Sequence, residues 1–263
     1  MHYMKIKINH RFVVFALLCV GTISSVAQSN IIVMQTETPI GMQTYFYSGN
    51  GNSLQEDEIK KYWDEDYYIT SAAYGSKGWF VVMSKGVKWT TQSYKTSSSW
   101  PDAFVHEELE KGKFITTLAS SDSRWLVVTS KNCDITQQEI CAAPWDNLKE
   151  WIKKWWNNDY YITSIACQNG LWTIVMSKTT LYTNQSYFWA TSTSDIKTKV
   201  QAKWDEGYDI TALDYGNGEY FCVMSKLNQT NKCLQHWQIN PSNVSKHVKE
   251  YWDNSYRIVY VGG

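Results

Sequence analysis

Hydrophobic and polar positions along the chain fall into phrases that return about every 47 residues. The first phrase sets an aromatic residue ahead of an Ile-Thr pair, as Trp63, Tyr67, Tyr68, Ile69 and Thr70. Leu109/Lys113/Ile115, Trp156/Tyr160/Ile162, Trp204/Tyr208/Ile210 and Trp252/Tyr256/Ile258 keep its spacing. The second phrase reads WFVVMSK at 79–85, WLVVTSK at 125–131, WTIVMSK at 172–178 and YFCVMSK at 220–226. The third opens on Gln92, Gln138, Gln185 and Gln235 and then alternates. Three phrases in fixed order predict a repeat architecture.

Each phrase also predicts its own local structure. Leu148, Trp151, Ile152, Trp155 and Trp156, and again Val244, Val248, Tyr251 and Trp252, follow helical spacing, so an amphipathic helix is expected ahead of each first phrase. Asp102, Asn147, Ser194 and Ser242 are placed to cap the helix starts. Asp66, Gly112, Asp159, Gly207 and Ser255 suit a left-handed residue just past each helix end. The first phrase continues as a β-branched and aromatic strand. The second is apolar enough for burial on both faces, and Gly75/Gly78, Asn169-Gly170 and Asn217-Gly218 mark hairpin turns between the two. The third reads as an outer, edge strand.

The two ends of the chain are complementary. Residues 31–34 form a degenerate second phrase and Gln43 opens a third, with no first phrase ahead of them; residues 245–261 supply a first phrase and no second. One unit is thus divided between the ends, and Met34 is expected beside Ile258. The expectation is a mainly β fold with one helix per repeat: a five-bladed β-propeller-like toroid of units of three strands and one helix, closed by pairing the N- and C-terminal segments. The repeats run over about 54–100, 101–146, 147–194 and 195–242, with a split repeat of 28–53 plus 243–263.

The stretch Val81, Val82, Met83, Ser84, Lys85 and Gly86, then Gln92, Ser93, Tyr94 and Lys95, and the ending Val248, Lys249, Glu250, Tyr251 and Trp252, resemble the Trp-rich repeat domain that follows the catalytic domain of plant casein-kinase-1-like kinases and occurs in some bacterial exported proteins. The likeness covers most of residues 31–261, while the kinase catalytic segments are absent, so it implies no kinase activity. It brings no catalytic residues with it. The Leu109/Lys113 unit departs from the Trp/Tyr pattern.

Composition narrows the class of function. The chain carries 25 Lys+Arg against 25 Asp+Glu and is 15% aromatic, which excludes a disordered tail and a basic nucleic-acid binder. Lys5, Lys7 and Arg11 precede an apolar run over residues 12–20 and a small-residue stretch ending at Ala27, the layout of a cleaved secretory signal over residues 1–27. That run is too short to span a bilayer, and the mature chain is expected to be secreted or periplasmic, with no membrane span. Cys133, Cys141, Cys167, Cys222 and Cys233 remain after cleavage, an odd number read chiefly as buried thiols.

No phosphate loop, nucleophile elbow or zinc-protease motif occurs, so no catalytic residue, metal or cofactor is expected. Gln43, Gln92, Gln138, Gln185 and Gln235 recur in every unit and either line an axial opening or join neighbouring blades. Residues that break the repeat are the better ligand candidates: Trp89 and Tyr182 between second and third strands, and Trp100, Trp145 and Trp189 in the links to the next helix. The expectation is a non-catalytic binding or scaffolding module for a protein or glycan. The alternatives are a glycan-directed protein or enzyme using these aromatics, and a cysteine-dependent enzyme pairing Cys222 or Cys233 with His236 or His247.

Overall fold

The computed structural model describes residues 30–49 and 53–263, so the expected signal over residues 1–27 lies outside it. The chain forms β1 (Ile31–Gln35), β2 (Gln43–Tyr47), α1 (Glu56–Trp63), β3 (Tyr68–Gly75), β4 (Gly78–Ser84), β5 (Gln92–Ser97) and α2 (Asp102–Glu110). It continues through β6 (Phe114–Ser120), β7 (Trp125–Ser130), β8 (Ile135–Ala143), α3 (Trp145–Trp156), β9 (Tyr160–Gln168) and β10 (Leu171–Thr179). The remainder is β11 (Tyr182–Ala190), α4 (Thr193–Asp205), β12 (Asp209–Gly216), β13 (Glu219–Leu227), β14 (Gln235–Ile239), α5 (Val244–Asp253) and β15 (Arg257–Gly262). Among the described residues no helix is long and apolar enough to cross a membrane.

The strands make five three-stranded antiparallel sheets, ordered β2-β4-β3, β5-β7-β6, β8-β10-β9, β11-β13-β12 and β14-β1-β15. A second-phrase strand is always in the middle, and β4 and β7 are buried at every position, as their unbroken apolar runs require. Each third-phrase strand pairs with the second-phrase strand of the following unit: β5 lies on β7, not on β4. The hairpin already gives β4 one neighbour in β3. Its other edge is taken by β2, and the helix carries the chain from that outer edge to the opposite one.

The ends of the chain meet as expected. β1 inserts between β14 and β15, pairing Met34 with Ile258 on one side and with His236 on the other.

Local geometry follows the sequence at the helix exits. Asp66, Gly112, Asp159, Gly207 and Ser255 all adopt positive φ, between 62° and 81°. The next residue then reaches back to the helix, as Tyr67 N–H donates to the Tyr62 carbonyl and Tyr208 N–H to that of Lys203. The starts differ from expectation. Ser192 and Asn243 cap α4 and α5 through their side chains, while α2 and α3 begin after Pro101 and Pro144, whose missing N–H and fixed φ suit a helix entry. Asp102 and Asn147 fall inside the first turns.

The first-phrase strands touch one another across sheets: β3 lies beside β6, β6 beside β9, β9 beside β12, β12 beside β15 and β15 beside β3. Such close approach needs small side chains. Ala73, Ala119, Ala166 and Gly262 occupy equivalent positions, all but one bearing only a methyl group. A Cβ on Gly262 would collide with the Leu213 carbonyl oxygen, so β15 can approach β12 only because that residue is glycine. The gap among these strands leaves no room for a water molecule.

Asp214 is the fifth residue of this set and the exception to it. It is buried, and its Oδ1 accepts from Gly263 N–H and Tyr215 N–H at 2.8 and 2.9 Å. Burial outweighs those bonds and raises its pKa to about 7. The neighbouring Tyr260 hydroxyl and Cys167 thiol are raised too and stay neutral. The native state therefore holds a proton on Asp214 that the unfolded chain releases near its ordinary value of 3.8. This stabilisation is complete below 3.8 and vanishes as pH rises through about 7. In urea denaturation the protein should lose about 2 to 3 kcal/mol between pH 5 and pH 8 relative to Asp214→Asn. Equal pH dependence in the two proteins would show that Asp214 is not the titrating group.

Candidate functional site

The recurring glutamines lie between sheets. Gln92 on β5 illustrates the arrangement: its Oε1 accepts from Ile69 N–H at 2.7 Å and from Trp63 Nε1 at 3.1 Å. Its Nε2 donates to the Ile69 carbonyl at 2.9 Å and to Ser130 Oγ at 3.0 Å. Ser130 is its cross-strand partner in its own sheet, whereas Ile69 and Trp63 belong to the neighbouring sheet and its helix. Gln43 bridges Ile258 and Ser84 in the same way, and Gln185 bridges Ile162 and Ser225. Gln138 bridges Ile115 and Ser177, and Gln235 bridges Ile210 and Gln35. An amide has two N–H donors and two acceptor lone pairs, and where the indole is present all are spent. The glutamines therefore join sheets and are not turned toward a ligand.

A bulge makes these bonds possible. In each sheet one first-phrase residue is skipped by the ladder: Thr70, Thr116, Thr163, Thr211 and, in the β1 sheet, Val259. The four threonines turn inward to bond the second-phrase serines at 2.6 to 2.8 Å. The preceding isoleucine then faces the next sheet with both main-chain groups available.

Of the three tryptophans expected in helix links only Trp100 lies in one, since Trp145 opens α3 and Trp189 lies on β11, and all three pack back on the framework. Trp100 lies edge-on to Trp125 at 5.4 Å, Trp145 contacts Trp189 at 4.3 Å, and Trp189 stacks on Phe221 at 4.1 Å. Trp89 is half-buried in the connection 85–91. The departing unit replaces aromatic packing with charge. Buried Glu108 accepts from Lys113 Nζ at 2.8 Å and from Thr129 Oγ1 at 3.2 Å. Desolvation alone would raise its pKa, but hydrogen bonds from Lys113 and Lys111 prevail and lower it to about 2.

The thiols do not make a nucleophile. All five are free, and burial pushes Cys133 and Cys141 up to about 11 and Cys167 and Cys233 to about 12. Cys222 is raised further by complete burial, and Cys233 donates to Asp209 Oδ2 at 3.1 Å. His236 stacks on Tyr251 at 4.1 Å with His247 beside it at 5.2 Å. Burial lowers both imidazoles. Thiols held this high carry negligible thiolate at neutral pH.

Tyr182 lines an open cleft of about 570 Å³ together with Asp134, Asp159, Tyr161, Lys178 and Asn228. Its walls come from longer ladders. In the β4 and β7 sheets the outer ladder ends at the Gln43–Ser84 and Gln92–Ser130 pairs. In the β10 and β13 sheets it runs on to Thr179–Ile135 and Tyr182–Leu227. β-branched and aromatic residues at Ile135, Thr136, Tyr182 and Thr183 favour this extension, where Gly41 and Gly86 occupy the other connections.

Lys178 and Asp159 occupy positions that recur in every complete unit, but Lys178 differs from its counterparts Lys85 and Lys226 in its contacts. Lys85 lies over the Tyr67 ring at 4.6 Å and Lys226 over Tyr208 at 4.8 Å. In the β10 sheet the equivalent Tyr160 packs on Trp155 and donates to Gln137 Oε1 at 2.8 Å. Lys178 is exposed in the cleft, with no ion pair or ring contact among the described residues. Tyr161 and Tyr182 meet edge to face at 5.9 Å, and desolvation raises the Tyr182 hydroxyl to about 12. Of these residues sequence reasoning singled out only Tyr182. The others were signalled by the β-forming residues flanking the third-phrase glutamines.

A family model described as "Domain of unknown function (DUF7477)" matches residues 16–144 and again 144–262. Among curated proteins, the Casein kinase 1-like protein HD16 of Oryza sativa subsp. japonica is 34% identical over 109 residues. That stretch is 41% of this chain and 15% of the rice protein.

The joints yield a quantitative expectation. Gln185→Ala strips partners from Ile162 N–H, the Ile162 carbonyl and Trp156 Nε1. It should cost about 2 to 4 kcal/mol in chemical denaturation, since each buried orphan costs roughly 1–3 kcal/mol and neighbours relax in part. A loss within experimental scatter of zero would mean the joint is dispensable.

Proposed function

The chain belongs to the DUF7477 family, two copies of whose model span nearly all of it, and we propose that it is an exported, non-catalytic binding module built as a five-bladed, propeller-like toroid. Two features support the toroid: each first-phrase strand borders two others, and a glutamine joint lies on both sides of every sheet. Export rests on the basic and apolar leader over residues 1–27 with cleavage after Ala27.

The observation that carries the binding reading is the cleft beside Tyr182, where an uncommitted ammonium, carboxylates and an aromatic pair converge on open space. The cleft volume falls within the range of small-ligand sites, and its lining of charged, hydroxyl and amide groups beside two aromatic rings suits a polar ligand. The raised thiols and the engaged glutamines argue for binding without chemistry.

The test is a thermal-shift screen of the secreted chain against oligosaccharides, peptides and small polar metabolites. The expected outcome is a compound that raises the Tm of the native protein, leaves Tyr182→Ala unshifted, and is recovered chemically unchanged by mass spectrometry. Conversion of the compound to product would overturn the non-catalytic reading. Equal stabilisation of both proteins would overturn the cleft as the site.

A further inference from the structure

We infer that the cleft takes a neutral saccharide of one or two pyranose units, an assignment that rests on the binding function proposed above and specifies its ligand. The argument begins with charge. Lys178 supplies one free ammonium, Asp159 is an exposed carboxylate without an ion pair, and Asp134 is engaged only loosely by Lys88 at 3.5 Å. With Asp134 paired to Lys88, the free charges of the cleft are one ammonium and one carboxylate, so a net anion would meet Asp159, a net cation would meet Lys178, and a neutral ligand meets neither penalty.

What fits is a molecule rich in groups that both donate and accept. Hydroxyls on adjacent carbons can donate to a carboxylate and accept from an ammonium at the same time. Asn228 adds an amide to the lining: its Nδ2 donates to the Thr180 carbonyl at 2.9 Å, and its Oδ1 is by chemistry an acceptor.

Shape points the same way. Tyr161 and Tyr182 stand at 78° to each other and, with Ile135, supply the apolar part of the lining. A pyranose ring has one face of C–H bonds and a rim of hydroxyls. The C–H face suits an aromatic wall, and the rim suits the carboxylate and ammonium. The cleft volume of about 570 Å³ is within the range of small-ligand pockets and too small for a long chain to be enclosed.

Saturation-transfer NMR and calorimetry on the native chain, with cellobiose, maltose and chitobiose as neutral probes and digalacturonic acid as an anionic one, test this. Expected is binding of at least one neutral disaccharide with a Kd of roughly 10 μM to 1 mM, and at least about tenfold weaker binding of the anionic probe. Tyr182→Ala and Asp159→Asn should each weaken the neutral probe about tenfold, and Tyr182→Phe by less than about threefold. Asparagine tolerates the positive φ of 63° at position 159, and matching amide NMR spectra would establish that each variant is folded. Failure of every neutral probe to bind overturns the saccharide assignment. If a non-saccharide from the thermal screen still depends on Tyr182, the binding function stands without it. If Tyr182→Ala alters the binding of nothing, both fall.

Discussion

A single primary amide between each pair of adjoining sheets is the interaction on which the rest of this molecule depends. A bulged threonine turns inward, and the isoleucine before it is left with an N–H and a carbonyl facing the next sheet. Unpaired main-chain groups at a sheet edge are costly when buried and invite misassociation when exposed. Glutamine fits because its one oxygen and one NH₂ group match that pair in a two-point contact. Glutamate would offer only acceptors, and asparagine is a methylene shorter. The remaining lone pair and N–H bind an indole on one side and a serine on the other, so helix, edge strand and middle strand are fixed together.

Departures from the repeat follow from this constraint. In the β1 sheet, Gln35 stands where the others have serine and still accepts from Gln235 Nε2 at 3.0 Å. In the β7 sheet, Leu109 replaces the indole donor, and stability there is drawn from Glu108, Lys113 and Thr129. Glu108 is buried, Lys113 is half-buried, and the pair is satisfied by several hydrogen bonds. Losing Lys113 would strand a carboxylate, whereas replacing the whole set with apolar residues need not be harmful. The β10 and β13 sheets depart differently: their joints are intact, and their ladders simply continue past them.

The parts of the fold legible in the sequence were those set by short-range chemistry. The left-handed helix exits at Asp66 and Gly207, the Asn-Gly hairpins and the buried second-phrase strands could each be read from a few adjacent residues. The pairing of Met34 with Ile258 was legible because the missing phrases at the two ends are complementary. Sheet membership of the third phrase was not, since nothing local distinguishes a strand that pairs backward from one that pairs forward across a helix. Recurrence marked the glutamines as part of the repeat but did not name their partners, which lie in another sheet. Trp100, Trp145 and Trp189 were singled out as link residues, yet large aromatic rings gain more by covering Trp125 and Phe221 than by facing water. Most of the cleft went unread because it arises from how far two ladders extend, a property spread over several residues.

The placement of the cleft relative to the joints accounts for how a repeat framework can hold a specific site. Lys178 directly follows Ser177, which is bonded to Gln138 and Thr163, and Tyr161 directly precedes Ile162, which is held by Gln185. Tyr182 lies on the same strand as Gln185. Each of these side chains stands on a strand that an amide joint holds. Rigid support of this kind is what precise recognition requires. The residues lining the cleft can therefore vary without disturbing the joints, because their own side chains take no part in them. A framework that repeats and a site that does not are compatible here for a simple reason: the ladder must be satisfied up to the glutamine, and beyond it the chain is free to build walls.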